Sequence, residues 1–395
     1  MNIAIFADNF YPEISGISDS ISLTGEELGK RGHFIHFFVP FHPSRNYKFV
    51  NIEDKEINLG PNVFIHRIPS FSVPMGTLQG RIVFPNFLRS YFEKIKFDIV
   101  HTHSFWGPGS DAISLSKRQK IPLVGTNHTP VEIFSPIDNK IVKHLLKRHV
   151  INFFNKCDLV SAPSDFLLSN MKEQGLKSPG VIISNPIETS FFKEEKNKEE
   201  CKKEFGLKGF IVLYVGRISQ EKRVDTIIDA FLDFSHGKDD VTLVIVGEGS
   251  LRKKFEKISS SSAESKKIKF IGPYVGQNKE KLFNIFRASD IFVISSIFET
   301  QSMCTLQAMA SGLPTIASRV GALPDIVNKE RGLLFDVGNH EKLRDCLEII
   351  YSNPQKREEF AKNARIFAEK LTIQNVANDW EKTYNSVIKK YHDKQ

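Results

Sequence analysis

Two short blocks carry the residue types needed to handle a diphosphate. The first, Gly216-Arg217-Ile218-Ser219-Gln220-Glu221-Lys222-Arg223, directly follows the apolar run Phe210–Val215. Gly216 lets the chain turn sharply at a strand end. Arg217 and Lys222 then supply two cations able to neutralise a diphosphate, although the same charges also fit a solvated face. The second block, Phe298-Glu299-Thr300-Gln301-Ser302-Met303, follows the apolar run Ile291–Ile294 and leads into the helix-like Cys304–Ser311. A helix start there aims backbone N–H groups and a partial positive charge at a phosphate. Glu299, just upstream, can accept hydrogen bonds from sugar hydroxyls or serve as a capping acid.

The first half offers histidines instead. His101 and His103 close the strand-like Asp98–His103, and His128 lies in Gly125-Thr126-Asn127-His128-Thr129, beyond Pro122–Thr126. Three imidazoles at neighbouring strand ends can bind zinc. No Asp, Glu or Cys joins them at ligand spacing, so a hydrogen-bonded role suits His101, and His128 becomes the candidate for work at a binding site. The turn Asn9–Ser18 is not GxGxxG, which argues against a nicotinamide enzyme. Its Gly16, ahead of a helix, can still bring backbone close to a phosphate.

The elements that position these residues alternate along the chain. Strand-like Ile3–Phe6, Phe34–Val39, Asp98–His103, Pro122–Thr126, Leu159–Ala162 and Val181–Ser184 are interleaved with helical stretches such as Ser18–Arg31. After the charged stretch Lys193–Lys203, read as a linker or an exposed helix start, the alternation resumes. Phe210–Val215, Thr242–Val246, Lys269–Ile271, Ile291–Ile294, Thr315–Ala317 and Leu333–Phe335 are its strands. Such alternation implies parallel sheets covered by helices. The expected architecture is α/β, with a Rossmann-like domain over residues 1–190, a second over 191–370, and a helix over 371–395. Ligands of open α/β sheets bind beyond the carboxyl ends of the strands, so two such domains would share a cleft.

Composition bounds the function. The 395 residues are 41% hydrophobic and 25% charged, as in a globular protein with a sizeable core. No apolar run is long enough to span a bilayer, and Met1 leads almost at once into Ile3–Phe6, so a cytoplasmic location is expected. Cys157, Cys201, Cys304 and Cys346 form no CxxC pair, which argues against a zinc ribbon or a disulfide framework. The net charge of +8 favours anionic partners. No nucleic-acid recognition motif is present, and none of that chemistry is expected.

Taken together, these segments resemble glycosyltransferase family 4, the retaining nucleotide-sugar transferases of GT-B fold. The resemblance is most specific at YVGRISQEKRVDTIIDAF, VIVGEGSLRKKF and FETQSMCTLQAMASGLPTIASRVGALPDIV, and it extends to NFYPEISGISDSI, KRGH, DIVHTHSFWGPG and GTNHT in the first half. It implies two Rossmann-like domains and a C-terminal helix returning to the first. By motif, Arg217 and Lys222 would hold the diphosphate and stabilise the leaving group. Glu299 would bind donor-sugar hydroxyls, and the amides around Gln301, Ser302 and Met303 would meet the phosphates. Gly16 and Gly247 would approach the donor, and His128 would lie beside the anomeric carbon. The sequence contains no D-x-D, and neither a divalent metal nor another cofactor is expected.

One departure concerns Gln307, which stands where the family carries a second glutamate facing the ribose. An amide accepts with one end and donates with the other, so losing a charged hydrogen bond is expected to weaken donor binding by about 1.5–3 kcal/mol. Ser15-Gly16 resembles the turn of members acting on diacylglycerol. The implied reaction moves a hexosyl unit from a UDP- or GDP-sugar to a membrane lipid or envelope glycan. A GT-B epimerase or phosphorylase, and a silent nucleotide-sugar binder, stand as alternatives. Arg81–Lys96 and Ile141–Lys156 mix bulky apolar with basic residues. They read as core helices or as helices lying on an anionic membrane face.

Overall fold

The computed structural model describes all residues except 51, 73–80, 85–93, 130–138, 194, 260–262, 276–277 and 395. The chain forms two compact units: Met1–Pro186 together with Ile373–Gln395, and Ile187–Thr372. Among the described residues, no helix is long and apolar enough to cross a membrane.

The first unit is built on a seven-stranded sheet in the order β3-β2-β1-β6-β7-β8-β9. Its strands are β1 (Asn2–Phe6), β2 (Phe34–Pro40), β3 (Val63–Ile68), β6 (Ile99–Thr102), β7 (Leu123–Thr126), β8 (Leu159–Ala162) and β9 (Gly180–Ile182). All pairings are parallel. Helices cover both faces, so the central strands β1, β6 and β7 are buried almost throughout and need no polar–apolar alternation. Phe6 and Phe38 stack at 4.8 Å within the core. The first helix, Gly16–Lys30, starts at Ser15, whose side chain accepts from the Ser18 amide, and Gly32 then turns the chain at φ 87°.

Two expectations need amending. The edge strand β3 escapes a reading by apolar runs, since VFIHRI mixes polar with apolar residues. Arg81–Ile82 (β5) is not the start of an amphipathic helix. It pairs antiparallel with Phe71–Ser72 (β4), and Arg81 donates to both the hydroxyl and the carbonyl of Ser70. The remainder of that segment falls mostly within 85–93, outside the described residues.

The helix Ile373–His392 packs on this unit through Val376, Trp380, Tyr384 and Val387, the stripe legible in the sequence. Arg31 fastens it, donating to Asn378 at 2.6 Å, Glu381 at 2.7 Å and the Gln374 carbonyl at 2.9 Å.

The second unit carries a six-stranded parallel sheet in the order β12-β11-β10-β13-β14-β15. The strands are β10 (Phe210–Val215), β11 (Val241–Val246), β12 (Ile268–Ile271), β13 (Ile291–Ile294), β14 (Thr315–Ser318) and β15 (Gly332–Phe335). The order reverses between β10 and β13, the topological switch point where open α/β sheets hold ligands. Both cation-bearing and carboxylate-bearing blocks leave from these two neighbours. The charged stretch before β10 ends in the helix Lys198–Glu204, started by a capping box from Asn197 and Glu200.

Candidate active site

In the second unit, the loop after β10 ends in a single 3-10 turn, Gln220–Lys222, before the helix Val224–Ser235. Residues of the neighbouring loop fix its backbone. The Ser295 hydroxyl donates to the carbonyls of Lys222 and Arg223, and the Ile297 amide donates to the Glu221 carbonyl. The Lys222 ammonium is thereby delivered to Glu299, 2.6 Å from Oε1, and the Ser296 hydroxyl donates to the same oxygen at 2.7 Å. Glu299 is 9% exposed, so this carboxylate is paired and hydrogen-bonded as burial demands. Arg217 stands apart, its side chain 59% exposed and 3.6 Å from Glu221.

Past Glu299, the chain passes Gln301, which is buried, and enters the helix Met303–Ala310. Ser302 is its N-cap and its hydroxyl accepts from the Thr305 amide, yet Ser302 sits at φ 71°, in the left-handed region that favours glycine. Met303 opens the helix, and Gln307 lies one turn further along, half-buried. The amides of a first helical turn lack intrahelical acceptors, so this helix start has backbone N–H groups left for other partners.

Two glycines set loop spacing here. A Cβ on Gly247 would fall 1.9 Å from the Gly216 carbonyl oxygen, so the loop after β11 packs directly on the loop after β10. Gly247 thus has a structural reason to lack a side chain. Gly321, at φ 53°, would place a Cβ 2.0 Å from the Glu299 carbonyl oxygen, and the Ala322 amide donates to that same oxygen at 3.0 Å. Gly321→Ala is expected to destabilise the chain by more than about 1 kcal/mol, because a backbone atom cannot yield and the φ is unfavourable. A lower denaturant midpoint checks this, and an unchanged midpoint contradicts it.

In the first unit, Gly16 opens the helix after β1, and His128 follows β7. His101 is fully engaged, with Nδ1 2.7 Å from the Tyr384 hydroxyl and Nε2 2.6 Å from Thr126 Oγ1, which in turn meets Ser161 Oγ at 2.6 Å. His103 Nδ1 lies 2.8 Å from His128 Nε2. His128 is 8% exposed, and among the described residues its buried Nδ1 has no hydrogen-bond partner. Such an orphan polar atom is costly unless a ligand satisfies it. Among the described residues, no cluster of His, Cys, Asp or Glu has metal-holding geometry. Asp8, just beyond β1, was not singled out from the sequence. Burial pushes its carboxyl up to about 6, against a hydrogen bond from Ser104.

Burial holds His101 down to about 3, His128 to about 4, and His103 well below the ordinary value. Burial likewise lowers His36 to about 4 and His42 to about 3. Unfolded histidine titrates near 6.5. Below that pH the unfolded chain binds protons that the folded chain refuses. The stabilisation is therefore complete above about pH 6.5 and drains away as pH falls toward 4, by roughly 1–2 kcal/mol at pH 5 for a histidine held near 3 or 4. Asp8 acts oppositely, since the folded chain keeps its proton between about 4 and 6, and offsets part of this. The denaturant midpoint is expected to drop clearly between pH 7.5 and pH 5; a flat profile contradicts the buried neutral cluster.

Two units, each built on an open parallel α/β sheet, have the GT-B fold class. Comparison with known proteins names the family. The profile of Glycosyltransferase Family 4 matches residues 14–191, and that of Glycosyl transferases group 1 matches residues 195–367. The chain belongs to the family 4 glycosyltransferases, and it is an enzyme that transfers glycosyl groups.

It is 26% identical to alpha-monoglucosyldiacylglycerol synthase of Acholeplasma laidlawii, covering 100% of this chain and 99% of that protein. The enzyme of the same name from Streptococcus pneumoniae is 28% identical over 91% of this chain and 80% of its own length. The fold matches the crystal structure of Anabaena HepE in complex with UDP, with a TM-score of 0.77, 16% identity, and coverage of 98% of this chain and 100% of that one. These relatives do not favour the epimerase, phosphorylase or silent-binder readings.

Proposed function

We propose that the chain is a retaining hexosyltransferase that moves glucose from a UDP-linked donor to a diacylglycerol-type lipid. The observation carrying the catalytic half is the partly buried Lys222–Glu299 pair at the switch point of the second sheet. Leaving-group departure builds negative charge on the diphosphate. Lys222, Arg217 and the helix start at Ser302–Met303 stabilise that charge more than they stabilise the intact donor, and this difference accelerates reaction. Glu299 accepts from donor-sugar hydroxyls, Gln307 meets the ribose, Gly16 approaches the diphosphate, and the unsatisfied Nδ1 of His128 serves the sugar near its anomeric carbon. With cations supplied by side chains, transfer proceeds without a divalent ion. The acceptor half is supported by the full-length likeness to two enzymes named for diacylglycerol glucosylation.

The test is incubation with UDP- and GDP-sugars, with and without diacylglycerol micelles, in the presence of chelator. Lipid-dependent UDP release, with an α-linked hexosyl lipid by NMR, is the expected result. Release that ignores the lipid, or a requirement for metal, overturns the corresponding part of the reading.

The helix Lys140–Phe154 is the docking element in this reading. Ile141 is 70% and Leu145 60% exposed, beside exposed Lys140 and Arg148. Trp106, 47% exposed, stacks on His149 of that helix at 5.4 Å. An apolar strip edged by cations suits an anionic membrane surface. Ile141→Asp with Leu145→Asp is expected to abolish co-sedimentation with phosphatidylglycerol vesicles and to lower transfer to lipid at least tenfold. The denaturation midpoint should be unchanged. Undiminished vesicle binding removes the helix from this role.

A further inference from the structure

His103 has no assigned part in the reaction, yet its geometry ties it to His128. Its Nδ1 sits 2.8 Å from His128 Nε2, with the two rings nearly coplanar at 19°. The His103 amide donates to the Phe6 carbonyl at 2.7 Å, which anchors the residue to β1. The ring of His101 also contacts that of His103, with centroids 4.1 Å apart. Both nitrogens of His101 are already bonded to Tyr384 and Thr126, and its ring packs on Trp380 at 4.6 Å, so His101 acts as a fixed wall. Among the described residues, the imidazole hydrogen-bonded to His103 is that of His128.

A neutral imidazole has one N–H donor and one acceptor nitrogen. Two such rings meeting nitrogen to nitrogen must therefore hold their protons in a correlated way. If His103 Nδ1 carries the proton, His128 Nε2 accepts and its Nδ1 is a donor. In the reverse arrangement, Nδ1 of His128 is an acceptor. Burial disfavours the charged form of both rings, which preserves this one-to-one relation across the neutral pH range.

We propose that His103 is a positioning residue that holds His128 in a single ring orientation and tautomer, so that the unpartnered Nδ1 presents one fixed hydrogen-bonding character to the reacting sugar. This rests on the reading of His128 as a residue at the reaction centre. His103 touches neither substrate in this account; it acts through its neighbour.

The test uses the full chain labelled with ¹⁵N-histidine, and three variants. The wild type should show His128 in one tautomer. His103→Leu, which removes the bonding nitrogen, should show mixed tautomers and about a tenfold lower kcat, the scale of one hydrogen bond, with the donor KM unchanged. His103→Asn places an amide near the lost Nδ1 and should restore a single tautomer and most of kcat. His128→Ala should be severely impaired. A mixed tautomer in the wild type, or a normal kcat in His103→Leu alongside an inactive His128→Ala, overturns the positioning role. A normal kcat in His128→Ala overturns the reading of His128 beneath it. Should His103→Leu fail to fold, the wild-type and His103→Asn spectra still decide between one tautomer and two.

Discussion

Lys222→Met is expected to lower kcat/KM for glycosyl transfer by about 10²–10³, the loss seen when one preorganised charge stabiliser is removed from a reaction centre. The reason lies in how the ammonium is held. Its backbone is pinned by Ser295 and Ile297, and its head group meets Glu299 at 2.6 Å, so little reorganisation is needed as charge develops on the leaving diphosphate. Removing it also strands a buried carboxylate, which costs stability in its own right, by about 3–5 kcal/mol for a fully buried pair and less here, where 18% of the lysine side chain is exposed. The double variant Lys222→Met with Glu299→Gln separates the two effects. It removes both charges, should recover much of the denaturation midpoint, and should be at least as slow as the single variant. Lys222→Met with near-normal kcat/KM, measured with saturating acceptor, would refute the phosphate role. Arg217→Ala should slow the reaction as well, but with less effect on stability, because its side chain is 59% exposed and its ion-pair partner, Glu221, is 3.6 Å away.

Much of this was legible because parallel α/β architecture ties chemistry to strand ends. Phe210–Val215 and Ile291–Ile294 are unbroken apolar runs, and a run buried on both faces has no alternation to blur it. Whatever follows such a run lies at the carboxyl edge, so Lys222 and Glu299 could be singled out by position. Their mutual distance could not, because it depends on β10 and β13 being neighbours across a crossover. For the same reason Ser295, Ser296 and Gly321 passed unnoticed. They carry no distinctive chemistry alone and acquire a role only by touching residues brought near by the sheet. The Tyr384–His101 bond, joining positions 283 residues apart, is the extreme case. The packing stripe of the last helix was readable, but the hydroxyl's destination was not. The edge strand β3 and the short strand Arg81–Ile82 escape such a reading for a local reason, since partly exposed strands mix polar and apolar residues and read equally well as loop or helix.

Glu299→Gln is expected to split two properties that a merely structural residue would lose together. The amide can still accept from Ser296 and Lys222, so the loop held by Ala322 and Gly321 should keep its place. What disappears is the negative charge. Hydrogen bonds from donor-sugar hydroxyls to a carboxylate are worth about 1.5–3 kcal/mol, so kcat/KM for the sugar donor should fall roughly 10- to 100-fold, with relaxed discrimination between sugars. Lys222, no longer half-neutralised by its partner, becomes a stronger site for phosphate. Affinity for bare UDP should therefore hold steady or rise while transfer falls. Calorimetric titration with UDP beside steady-state kinetics with the nucleotide sugar reads both signs at once. A parallel loss of UDP affinity would mean that Glu299 serves the nucleotide or the loop, and the sugar assignment would fail. Opposite signs would tie this carboxylate to the glycosyl half of the donor, with the lysine it holds serving the phosphates.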